Sequence, residues 1–69
     1  SEELHFGKDR YHQVRDMCEW CRDNFGDGGY IGYYEDYDDR VWFIQQAFGH
    51  TTFAFRRGVD ATAFALRWL

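Results

Sequence analysis

The chain has no proline, one methionine and two cysteines. The lack of proline leaves no polyproline stretch and no stiff linker. It also lacks any low-complexity tract or internal repeat. No apolar run approaches the roughly 18 residues of a transmembrane helix, and no signal-peptide pattern is present. Aliphatic residues are scarce, with only eight Ile, Leu and Val in 69 positions. Ordering a chain of this length costs roughly 1.5 kcal/mol per residue, and so short an aliphatic inventory does not offset that alone. Bases are outnumbered, eight Lys and Arg against twelve Asp and Glu, for a net charge of −4. Nucleic-acid binders neutralise phosphates with a basic stripe. None is visible here, so direct DNA or RNA binding is disfavoured.

The chain is instead rich in aromatics. Three Trp, five Tyr and seven Phe make up 22% of it. Each can bury about 150–250 Å², so the core is expected to be largely aromatic. The same richness excludes disorder. The length implies a single domain over residues 1–69.

Periodicity places the elements. Leu4 and Phe6 alternate with polar neighbours, which suits a brief edge strand before Gly7. Residues 9–25 read as a helix, with Asp9 as N-cap. Its apolar stripe is Tyr11, Val14, Cys18, Cys21 and Phe25, widened by Met17, with Trp20 on the flank. Arg15, Asp16, Glu19, Arg22 and Asp23 form the solvated face, and Gly26 suits the C′ position. After the Asp27-Gly28-Gly29 turn, residues 30–35 read as a strand. Residues 40–48 read as a second strand, with a helix after Asp39 as the rival. Gly49-His50 suits a type II′ hairpin turn, and residues 51–57 form the third strand. Pairing Phe48 with Thr51 sets Gln46 opposite Phe53, Ile44 opposite Phe55 and Trp42 opposite Arg57. Trp42, Ile44, Phe48, Phe53 and Phe55 then share one face. Asp60 is expected to cap a last helix carrying Ala61, Phe64, Ala65 and Trp68 on its inner stripe. The expected fold class is α+β: a three-stranded antiparallel meander with two helices packed on one face, and a short extra N-terminal strand at the edge.

Chemistry-bearing motifs are few. Cys18-Glu19-Trp20-Cys21 has zinc or redox spacing. Four-ligand zinc needs two more ligands, and His5, His12 and His50 have no close mutual spacing. The motif also lies inside a helix rather than at a helix N-terminus that would acidify a thiol. Buried reduced thiols are therefore the leading reading, with a metal or redox module on Cys18 and Cys21 as an alternative. No cofactor is expected. No Gly-x-Ser-x-Gly, His-Glu-x-x-His, kinase or P-loop signature occurs, and His50 reads as an exposed turn residue, so an enzyme is not expected. Asp36, Asp38 and Asp39 lack the glycine and distal glutamate of a calcium loop.

Nine aromatics fall between residues 30 and 55. Successive strand residues alternate faces, so they do not all reach one small core. Tyr30, Tyr34, Tyr37 and Phe43, with the acidic run Glu35, Asp36, Asp38 and Asp39, form the expected partner-binding surface. The function read from this is a non-catalytic protein-binding domain. A second reading is an acidic mimic of nucleic acid that occupies a DNA-binding protein, although a net charge of −4 is small for that role. Homo-oligomer formation through a sheet face or edge is a further expectation.

The strings Val41-Trp42-Phe43-Ile44, Thr52-Phe53-Ala54-Phe55-Arg56 and Asp60-Ala61-Thr62-Ala63-Phe64-Ala65-Leu66-Arg67-Trp68 resemble small uncharacterised proteins of tailed bacteriophages. The resemblance covers the second half of the chain and carries no catalytic residue. It implies an accessory or host-directed protein acting in an infected cell's cytoplasm.

Overall fold

The structure, a computed structural model, describes residues 2–32 and 39–69. The chain begins with β1 (Glu2–Phe6), then a 3-10 helix (Lys8–Gln13) that runs into α1 (Val14–Phe25). β2 (Gly29–Tyr30), β3 (Trp42–Ala47) and β4 (His50–Phe55) follow, and α2 (Gly58–Trp68) closes the chain. The strands form one sheet in the order β1-β4-β3-β2. This is an α+β fold, as the periodicity implies.

The strand arrangement differs from the expected meander. β1 does form, as an edge strand antiparallel to β4. β2 is only two residues long and pairs parallel, not antiparallel, with β3. Residues 33–35 of the expected first strand lie outside the described residues. Residues 42–47 are strand, so the rival helix is excluded.

The β3–β4 hairpin keeps its expected faces but not its register. Ala47 pairs with His50, Gln46 with Thr51, Ile44 with Phe53 and Trp42 with Phe55. The turn residues are therefore Phe48 and Gly49, one position earlier than expected. This shift sets Trp42 opposite Phe55 instead of Arg57, so both rings stand on the buried face, where the Trp42 indole stacks on Phe53 at 6.3 Å between ring centres. Arg57 is freed to stand at the start of α2.

The helices cover the face bearing Phe6, Trp42, Phe53 and Phe55, all buried together with Met17, Cys21, Ala61, Phe64 and Trp68. Phe64 of α2 lies 4.8 Å from Phe53 and 5.2 Å from Phe55, ring centre to ring centre. Trp20 meets both Phe25 and Phe64 edge-on, so the residue placed on the flank of α1 is the one that joins the helices. Tyr11, expected on the buried stripe, is exposed because the chain there is still 3-10 helix. Among the described residues one buried side-chain polar atom lacks a partner, the Trp68 Nε1.

Neither helix start is capped as expected. Asp9 lies inside the first turn after Gly7, and no side chain caps that end. Asp60 is likewise inside α2, whose cap position is Arg57. Its buried carboxylate accepts hydrogen bonds from Arg57 Nε at 2.8 Å and Nη2 at 2.7 Å. Both contacts fall on Oδ2, a charge-assisted pairing stronger than a neutral one, and an acid in the first turn also suits the helix dipole.

The return from α1 to the sheet is tight. Gly26 ends α1 with φ +85° and donates its N–H to the Arg22 carbonyl at 3.0 Å. Its own carbonyl accepts from Trp42 Nε1 at 2.7 Å, which fixes the indole. Gly28 lies against that ring, and a Cβ there would fall 2.4 Å from Trp42 Cε2. With the indole tied through Nε1 to the Gly26 carbonyl, Gly28→Ala is expected to destabilise the protein by about 1–3 kcal/mol, the usual range for overpacking. Urea denaturation checks this, and an unchanged midpoint would show that the ring yields.

Candidate functional site

The structure separates the expected contact residues. Tyr30 ends β2 with its side chain 69% exposed, and Asp39 is exposed. Phe43 is buried, so it is not a contact residue. It lies on the sheet face away from the helices, beside the equally buried Ala54 and Thr52. The Arg56 guanidinium stacks over its ring at 5.1 Å, and Arg56 Nε donates to the Arg40 carbonyl at 2.6 Å. The backbone of Gly29 approaches the same ring closely. That face is therefore not an open aromatic platform. Tyr34, Glu35, Asp36, Tyr37 and Asp38 lie outside the described residues.

A feature the sequence reading missed stands at the hairpin tip. Phe48, expected on the buried face, is 99% exposed. Its φ is +55° and that of Gly49 is +81°. Positive φ at both central residues of a two-residue loop is the signature of a type I′ turn. Glycine, asparagine and aspartate adopt that conformation readily, whereas a bulky side chain there is an outlier. The signal was present in the spacing, since a turn one residue earlier keeps the same faces.

A cleft of about 580 Å³ opens between α1 and the outer part of β3. Val14, Cys18 and Arg22 of α1 line one wall, and Trp42 and Ile44 line the floor. Tyr30 stands at its β2 side. Tyr30 pairs opposite Ile44, four residues before Phe48 along β3, or roughly 13 Å at strand rise. Thus Tyr30, the cleft and the Phe48 tip follow one another along the same strand.

The cysteines lie one helical turn apart in α1. Both are free thiols, with Cys21 buried and Cys18 half-buried. Burial raises the Cys21 thiol to about 12, a Cys18 charge adds to that, and Arg22 opposes it. Cys18 is also raised, by burial first, with Arg22 acting against it. A raised thiol is the reverse of the acidified cysteine of redox sites. Among the described residues no group of three or more His, Cys, Asp or Glu could hold a metal ion. Among them also, no helix is long and apolar enough to cross a membrane.

No family model matches this chain, and no curated protein or solved structure does either.

The raised thiols contribute to the alkaline behaviour of the fold. The folded state favours neutral Cys21, while the unfolded thiol ionises near its ordinary value of 9.0. Above that value the unfolded chain binds fewer protons, so stability falls with rising pH. The urea midpoint is expected to be flat from about pH 7 to 8.5 and to decline from about pH 9 toward 12. Cys21→Val removes one of the two raised thiols and should make the decline shallower, leaving the part due to Cys18. An equal decline in both proteins would assign it elsewhere.

Proposed function

We propose that this protein is a non-catalytic protein-binding module, in which Phe48 is the principal contact. The carrying observation is the combination of full exposure and a left-handed backbone at one phenylalanine. An exposed ring contributes little to folding, and the left-handed conformation costs an L-residue roughly 1–2 kcal/mol. Local stability therefore argues against phenylalanine at this position, and such outliers cluster at functional sites. A buried apolar pocket on a partner provides the compensating gain, because seating one ring removes about 150–250 Å² from water. Tyr30 and the adjoining cleft extend the contact along β3, and tyrosine is a favoured interface anchor. An accessory role directed at a larger host protein is part of the same proposal.

Phe48→Asn separates folding from binding. It creates Asn-Gly, the preferred type I′ pair, so the fold should gain about 1 kcal/mol and melt about 4–8 °C higher. Calorimetry reads that gain. In affinity capture from bacterial lysate with quantitative mass spectrometry, the proteins held by the natural chain should be depleted about tenfold or more by this variant. Identical captured sets from the two proteins would remove Phe48 from the contact.

A further inference from the structure

The opposite edge of the sheet carries a second surface, independent of the Phe48 reading. Three observations converge there.

The first is the edge itself. Among the described residues β1 is paired on one side only, with β4. The outer side of its five residues is an open strand edge, which templates pairing with another chain.

The second is α2. Its buried stripe is Ala61, Phe64 and Trp68. A second stripe, Val59, Thr62, Leu66 and Leu69, repeats at steps of three, four and three and is exposed. Val59 is 71%, Leu66 83% and Leu69 75% exposed. Asp60 and Arg67 are the only charged residues within α2. A helix that is apolar nearly all round is normally covered on both sides.

The third is that edge and stripe adjoin at Thr62. α2 packs on both β1 and β4, and a groove of about 360 Å³ between β1 and α2 is lined by Leu4, Ala61, Thr62 and Ala65. The start of α2 lies near Glu2, and Arg10, just past β1, donates Nη2 to the Trp68 carbonyl at 2.7 Å. α2 therefore runs alongside β1 in the same direction.

We propose that the occupant of this surface is a second copy of the chain, joined by antiparallel β1–β1 pairing about a two-fold axis through Leu4, with the α2 helices packing across it. The register follows from overlap and charge. Opposed residues in an antiparallel pair share a face, so both copies keep their helices on one side only if each residue meets one of its own parity. Among such registers, centring on Leu4 alone pairs all five β1 residues. It sets Glu3 of each copy opposite His5 of the other, the same two residues that lie 3.5 Å apart within each β1, whereas centring on Glu3 opposes two carboxylates. The helices then fit. Strands lie about 4.8 Å apart, so a helix riding between β1 and β4 stands about 5 Å from the axis. Two such helices lie about 10 Å apart, within the normal packing distance of about 8–10 Å. They run antiparallel, with Thr62 and Leu66 at the centre and Val59 facing Leu69 of the other copy.

Sedimentation velocity of the natural chain across a concentration series is the test. A mass rising toward twice 8.3 kDa is expected. Leu66→Lys and Thr62→Arg alter exposed positions and should each raise the dissociation constant about tenfold or more, with unchanged circular dichroism. Glu3→Lys should weaken the dimer and Glu3→Lys with His5→Glu should restore it. A chain monomeric throughout the series, or a dimer untouched by Leu66→Lys and Thr62→Arg, would overturn the assignment. Neither result bears on Phe48, which lies at the end of the β3–β4 hairpin.

Discussion

The Phe64 ring is where the two layers and both helices of this protein meet. It packs on Phe53 and Phe55 of the central strand β4, receives the edge of Phe6 from β1 at 6.0 Å, and receives Trp20 from α1 at 6.0 Å. A chain with eight aliphatic branched residues has few other means of filling its interior. Aromatic pairs have preferred offset and edge-on geometries, so a core built from them fixes orientation as well as burial. The hairpin register, the crossing of α2 over the sheet and the flank position of Trp20 all serve those ring contacts. Truncation at Phe64 would remove contacts from every element around it at once.

That constraint explains which parts of the fold could be read in advance. The helical stripes were legible because a 3.6-residue repeat survives most local detail. Val14, Met17, Cys21, Ala61, Phe64 and Trp68 are buried where their spacing placed them. The alternation of β3 and β4 was also legible. Their register was not, because moving the hairpin turn by one residue changes each partner by two and leaves both faces intact. Turn chemistry favoured a glycine-first loop. The observed register instead sets Trp42 opposite Phe55 on the buried face and lets its indole stack on Phe53, and the turn accepted phenylalanine in a conformation it adopts rarely. The parallel pairing of β2 escaped notice for another reason. Two residues carry too little pattern to indicate direction, and the tie comes from Gly26, Gly28 and Gly29 closing on Trp42 and Phe43.

The candidate site was legible in kind rather than in place. Counting aromatics against the available interior indicated that some must reach solvent, and Tyr30 does. Phe43 does not, because Arg56 and the Gly29 backbone cover the second sheet face locally. The arithmetic of faces treats a side chain as either on the helix-covered side or in water. A stacked guanidinium and a close glycine provide a third environment that alternation alone does not reveal. Phe48 shows the converse error, a ring assigned inward by parity that lies instead beyond the last paired residue.

The two exposed apolar features differ in what local physics asks of them. α2 could have carried charged residues at 59, 62, 66 and 69 without disturbing Phe64 or Trp68, since those positions lie away from the core. A solvated helix of this kind normally does so, as α1 shows with Arg15, Asp16, Glu19, Arg22 and Asp23 all exposed. The contrast between the two helices of one small domain is informative because both cover the same sheet under the same folding constraints. α1 has the amphipathic profile of a helix with one covered side. α2 has the profile of a helix with two. Phe48 differs again, being a single point set against its own backbone preference. One surface is broad and apolar and the other is narrow and protruding. They also lie apart, at the β1 edge and at the hairpin tip. A domain of this size can therefore pair through one edge and still present the other feature to a different molecule.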